Sequence, residues 1–238
     1  MEITLYHSEW GENRHIRGVL FDMDGLVLDS ETLFTRFWRE AANLLGYPMT
    51  AEQSYGMRSL GKALGQPYLE SLFGSGIDYT TVRNKRIELM SAYVAEHGIA
   101  PKPGIYELLD YLDAAGIPAA IASSSPMDAI EKHLSAVNLK HRFRKLCSAH
   151  NIPNGKPAPD IYLLAARELG LKPEECLALE DSPTGILAAY RAGCLPIMVP
   201  DLDQPDEKTQ ALLYAKVDSL TDVIDILSQN PRLSRGLD

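Results

Sequence analysis

The sequence predicts an α/β protein: a doubly wound, parallel-sheet (Rossmann-like) core carrying an inserted all-α helical cap. Three observations carry that prediction. Short apolar runs in the chain are continuous rather than alternating, the pattern of strands buried on both faces. Amphipathic helical patterns separate most of these runs, which is the rhythm of strand–helix–strand units. The stretch 31–100 breaks the rhythm with consecutive helical patterns and no strand between them.

In chain order, the first strand is Gly18-Val19-Leu20-Phe21. The insertion follows, with helices expected at 33–45, at 59–73 with breaks, and at 81–97. A helix over 105–115 sets Leu108, Leu109 and Leu112 on one face, and Gly116 ends it. The second strand is 118–122. A helix over 127–137 starts after a Ser-Pro pair, and a weaker strand, 145–148, comes next. The helix expected at 158–169 groups Ile161, Leu164, Ala165 and Leu169 and stops at Gly170. The fourth strand is 176–179, a helix over 183–192 begins after Asp181-Ser182 and stops at Gly193, and the fifth strand is 195–199. The core is therefore expected at 16–30 and 101–230, and the cap at 31–100. Open α/β sheets bind ligands beyond the carboxyl ends of their strands, so a cap inserted after the first strand is expected over the active site.

Composition narrows the function. With 238 residues, 45% of them hydrophobic, the chain can bury a sizeable core. A net charge of −9 lacks the basic field that nucleic acids require, but leaves room for a small phosphorylated substrate held by a few local cations. No apolar stretch approaches the roughly 20 residues of a membrane span. Residues 1–14 are polar, with Glu2, Glu9 and Glu12, unlike a signal peptide. The expectation is a soluble, cytoplasmic protein with no membrane partner, a monomer or weak homo-oligomer, fraying over 228–238. Cys147, Cys176 and Cys194 sit in or beside apolar runs, without zinc-ligand spacing, and read as reduced core thiols.

The chemistry lies at the strand ends. The first ends in Asp22-Met23-Asp24-Gly25, the second in Ser123-Ser124-Ser125. The third leads to Gly155-Lys156-Pro157, and the fourth ends in Glu180-Asp181-Ser182. Any one of these acids or hydroxyls reads well as a helix N-cap. The set does not, because carboxylates two residues apart at a buried strand end repel unless a cation holds them. Magnesium suits the oxygen ligands Asp22, Asp24 and Asp181, and the lack of sulfur and imidazole disfavours zinc. Lys156 and the Ser123 hydroxyl can hold the remaining oxygens of a phosphoryl group. One carboxylate can then act as nucleophile and another as acid and base.

These four segments, in this order, resemble the haloacid dehalogenase-like superfamily over residues 16–227. Within it the chain is similar to the small-molecule phosphatases and β-phosphoglucomutases with a helical cap. The resemblance implies that Asp22 attacks phosphorus and that Asp24 is the general acid/base and lends its backbone carbonyl to the metal. It implies that Ser123 and Lys156 bind the phosphoryl group, that Asp181 and Asp22 bind magnesium, and that Glu180 supports the site by holding Lys156. Ser124 and Arg58 are the expected substrate contacts, Arg58 from the Gly56-Met57-Arg58 loop, with Lys62 a weaker candidate. The dehalogenases lack the second aspartate, so Asp24 argues for phosphoryl chemistry. Phe34 stands where the mutases have a histidine, which favours hydrolysis of a sugar or polyol phosphate over a mutase. A non-catalytic phospho-receiver module is the remaining alternative; it needs neither the long insertion nor Asp24. His150 and Asn151 depart from the acidic residue many relatives carry before the Gly155-Lys156 loop. The six histidines show no pairing pattern, and Trp10 and Trp38 read as packing groups.

Overall fold

A computed structural model describes residues 3–7, 10, 14–58 and 60–229. Its contacts divide the chain into two compact units, Met1–Leu28 with Ala100–Asp238, and Asp29–Ile99.

The first unit is built on a sheet that, among the described residues, runs in the order β1-β7-β6-β5-β2-β3-β4. The strands are β1 (Thr4–Leu5), β2 (Gly18–Phe21), β3 (Ala119–Ser123), β4 (Lys145–Ser148), β5 (Cys176–Glu180), β6 (Leu195–Met198) and β7 (Ala215–Lys216). All neighbours pair in parallel except β1, which runs antiparallel to β7. Strands β2, β3, β5 and β6 are buried at every residue, which is why they read as unbroken apolar runs. The expected second strand is displaced by one residue. Pro118 has no N–H for the ladder, although its carbonyl accepts from Val19 N at 3.0 Å. β1 and β7 are absent from the sequence reading, because two-residue edge strands leave no run to detect.

The helices of this unit are α5 (Ile105–Ala114), α6 (Met127–Ala136), α7 (Asp160–Leu169), α8 (Pro183–Ala192), α9 (Glu207–Gln210) and α10 (Asp222–Gln229). Helix α7 starts two residues later than expected, with Pro159 at its N-cap. Its buried face packs Ile161, Tyr162 and Ala165 beside Leu20, Ala120 and Ala178 of the sheet. The three cysteines are buried and free. Burial pushes the Cys147 thiol up to about 11 and the Cys176 thiol up to about 12, so both are protonated at neutral pH.

The second unit holds α1 (Glu31–Leu44), α2 (Ala51–Tyr55), α3 (Lys62–Phe73) and α4 (Tyr79–His97) around Trp38, Met57, Leu69, Ile77 and Val82. The expected helix at 59–73 is corrected to α3 alone; its proposed start, Ser59, lies outside the described residues. Helix α2 is an addition. Thr50 Oγ1 accepts from Gln53 N at 3.2 Å and Gln53 Oε1 accepts from Thr50 N at 2.8 Å, a capping box. Of the expected fraying over 228–238, residues 228 and 229 belong to α10 instead, and the rest falls outside the described residues. No described helix is long and apolar enough to cross a membrane.

Candidate active site

Strands β5, β2, β3 and β4 are neighbours and parallel, so their carboxyl ends meet at one edge of the sheet. Asp22 follows β2 directly, with its N–H on Leu179 O at 3.0 Å. Ser123 ends β3, Ser148 ends β4, and Glu180 ends β5 with Asp181 next. Beyond Asp22 the chain folds back on itself. Gly25 sits at φ 85°, a conformation a side chain would resist, and its N–H reaches Leu28 O at 2.9 Å.

Lys156 is the pivot of the charged cluster. Its Nζ donates to Asp22 Oδ1 and, at 2.6 Å, to Glu180 Oε1, with only 9% of the side chain exposed. Glu180 is fully buried and also accepts from the Tyr162 hydroxyl and, at 3.2 Å, from Ser182 Oγ. The same Ser182 hydroxyl caps α8 by accepting Gly185 N at 3.2 Å. Gly185 is required here: a Cβ at that position would come within 1.9 Å of the Glu180 carboxylate. The Lys156 ammonium also lies 5.2 Å from the centre of the Tyr162 ring. Burial disfavours a charged ammonium, but the facing Asp22 and Glu180 carboxylates hold Lys156 above its ordinary value. Burial pushes the Asp22 carboxyl up to about 8, Lys156 opposing and Glu180 and Asp24 adding to the rise.

Asp22, Glu180 and Asp181, all buried, offer carboxylate oxygens within 4.8 Å of one another. Three carboxyl groups face one ammonium, and burial, with the charges of Glu180 and Asp24 adding, holds the Asp22 carboxyl protonated up to about pH 8. A divalent cation with a preference for hard oxygen donors fits this set on charge and on ligand type. The cluster holds Asp22 and Asp181 of the expected ligand set, with Glu180, expected as the support of Lys156, beside them. The Asp24 carboxylate turns instead to the serines. Ser125 Oγ donates to Asp24 Oδ2 at 2.8 Å, Ser125 N donates to Ser123 Oγ at 3.0 Å, and Ser148 Oγ donates to Ser125 O at 2.7 Å.

Among the expected substrate contacts, Ser123 is fully buried and Ser124 is exposed. Arg58 belongs to the helical unit, where its Nε donates to Tyr55 O at 3.1 Å. Phe34, in the first turn of α1, lies 4.7 Å beneath the Arg86 guanidinium. His133 is half-buried, and burial lowers its pKa while the charge of Asp24 opposes. Trp38 is buried in the helical unit, and Trp10 stacks on His7 at 4.1 Å. The sequence reading missed Tyr162, Ser125 and Ser148. The one signal for Tyr162 is a hydroxyl on the otherwise apolar face of α7.

A parallel α/β sheet with this acid–lysine–hydroxyl edge defines a class. The family profile of haloacid dehalogenase-like hydrolases matches residues 16–193, and the chain belongs to that family. It is 30% identical to hexitol phosphatase B of Escherichia coli K12 over 214 residues, 88% of this chain and 95% of that protein. It is 34% identical to hexitol phosphatase A of the same strain over 193 residues, 77% of this chain and 82% of that one. A crystal structure of a family hydrolase from Deinococcus radiodurans R1, with bound phosphate and sodium, superposes with a TM-score of 0.77. That match covers 94% of this chain and 100% of the other at 25% identity. The chain is a phosphoric monoester hydrolase of this family.

Proposed function

We propose that this protein is a magnesium-dependent phosphatase that hydrolyses a phosphorylated sugar or polyol through an aspartyl-phosphate on Asp22. The observation that carries the reading is the placement of Asp22, Lys156, Glu180 and Asp181 in one buried cluster in which carboxyl groups outnumber the ammonium three to one. A lone helix cap or a structural ion pair has no use for that excess. Magnesium held by Asp22 and Asp181 would neutralise it and draw charge from the phosphoryl oxygens. The hexitol phosphatase relatives support the sugar or polyol class.

The chain's own groups then divide the work. Lys156 and the Ser123 hydroxyl hold the phosphoryl oxygens, and Glu180 keeps Lys156 aimed toward Asp22. An Asp22 oxygen forms a bond to phosphorus as the bond from phosphorus to the substrate's alcohol oxygen breaks. Asp24 gives its proton to that departing oxygen. Water then attacks phosphorus, Asp24 takes its proton, the bond to Asp22 breaks, and inorganic phosphate leaves. Phe34, standing where the mutases resemble one another in carrying a histidine, supports transfer to water over transfer between sugar hydroxyls. Three buried free thiols support a reducing, cytoplasmic setting.

A phosphate-release screen over sugar, polyol, nucleotide and nucleoside phosphates with magnesium tests this. Release concentrated among sugar or polyol phosphates is expected. Interconversion of hexose phosphate isomers without free phosphate, or a stable phosphoprotein that never turns over, would reject it.

A further inference from the structure

Ser125 carries no role in the mechanism above, yet its polar groups are committed to three different strand ends. Its N–H goes to Ser123 Oγ at the end of β3 (3.0 Å), its carbonyl accepts from Ser148 Oγ at the end of β4 (2.7 Å), and its hydroxyl goes to Asp24 Oδ2 just past β2 (2.8 Å). Ser148 is itself buried and fixed in turn, accepting from His150 N at 3.2 Å. A serine just before a helix would ordinarily cap it. Here the N-cap of α6 is Pro126 and no side chain caps the helix, so the Ser125 hydroxyl is spent on Asp24.

A hydroxyl that donates to one carboxylate oxygen fixes both the rotation of the carboxyl plane and the site of its proton. Oδ2 already accepts a hydrogen, so the neutral carboxyl carries its own on Oδ1. We propose that Ser125 is a positioning residue, tethered through Ser123 and Ser148, that orients Asp24 so that Oδ1 delivers and recovers the proton. This assignment rests on Asp24 acting as acid and base, and it predicts a dependence on how much the leaving group needs a proton.

The test compares wild type, Ser125→Ala and Ser125→Thr in rapid-mix single turnovers. One substrate is an alkyl phosphate drawn from a panel of hexitol, pentitol and glycerol phosphates, whose alkoxide must be protonated. The other is p-nitrophenyl phosphate, whose weakly basic phenolate leaves without a proton. Loss of an oriented acid should slow Ser125→Ala on the alkyl ester by about tenfold or more, with p-nitrophenol release within about threefold of wild type. Steady-state turnover should fall on both esters, because Asp24 must still activate water, and on p-nitrophenyl phosphate KM should fall with it, since the phosphorylation step is unchanged. Ser125→Thr, which keeps the hydroxyl, should recover the alkyl ester rate. Equal losses on both esters in the single turnover, a change in KM with kcat intact, or a threonine variant no better than alanine would overturn the assignment while leaving the phosphatase reading standing. A wild-type chain that releases phosphate from neither ester overturns that reading itself.

Discussion

The helical unit and the α/β unit bury different kinds of polar group. Among the described residues of the helical unit the buried polar side chains are Ser30, Thr35 and Ser54, all hydroxyls. Thr35 donates to Glu31 O at 3.1 Å and Ser54 to Ala51 O at 2.6 Å, each within its own helix. The α/β unit buries the hydroxyls of Ser123, Ser148 and Thr209 and, in addition, carboxylates: Asp22, Glu180 and Asp181 at one sheet edge, and Asp222 elsewhere. Asp222 accepts Ser219 N at 3.0 Å and serves the start of α10. Helices settle a stray hydroxyl locally and cheaply, whereas a buried charge demands an ion or a network. The difference teaches where the fold accepts strain for chemistry. Among the described residues, the edge formed by β5, β2, β3 and β4 gathers three buried acids around one lysine.

The strongest way to break that contrast is to remove the proposed nucleophile. Asp22→Asn should cut phosphate release by about three orders of magnitude or more, and excess chelator on the wild type should do the same; near-normal turnover in either assay would sink the mechanism. Next in size is the balance of charge. Lys156→Met strips the ammonium from between two buried carboxylates and should cost about 3–5 kcal/mol in urea unfolding. A loss under 1 kcal/mol would mean that the carboxylates do not depend on Lys156.

A smaller effect concerns pH. The folded Asp22 carboxyl stands at about 8 against an ordinary 3.8, so the unfolded chain releases that proton first. Its contribution to stability is present below about pH 4 and fades as pH rises toward 8. In chelator, the melting temperature of the wild type should therefore decline between pH 5 and 8 more than that of Asp22→Asn, and magnesium should reverse the decline. Parallel curves for the two proteins would contradict this. The smallest effect lies on the other side of the comparison. The Arg36–Glu40 pair on α1, 2.9 Å apart with both side chains well exposed, should yield only about 0.3–0.5 kcal/mol on Glu40→Ala, which leaves Arg36 over the Tyr93 ring. A loss several times larger would erase the distinction between the two units.

Much of the fold was legible in the sequence. Strands β2 and β4 and helix α8 have the bounds expected of them, β5 and β6 differ by a residue at one end, and β3 is displaced by one. Their unbroken apolar runs, and glycines at the ends of α7 and α8, are local signals. The ends of those strands also named the acids and the lysine that now stand together. Less was legible where local signal was weak. β1 and β7 form only because β6 offers an edge for β7, and β7 one for β1. The five-residue helix α2 depends on a capping box rather than on periodicity.

The sequence by itself determined the order of elements and the side chains each strand end would offer, because burial on both faces and helix termini leave their marks residue by residue. Tertiary structure decided which of those side chains meet. Glu180, read as a support, joins the candidate metal cluster because β5 sets it beside Asp22. Tyr162 reaches it from α7, and Gly185 leaves it room beneath α8. Of three consecutive serines it is Ser125 that takes Asp24, since β4 anchors its carbonyl through Ser148. Such pairings depend on the register and packing of elements far apart in the chain, which no local pattern records.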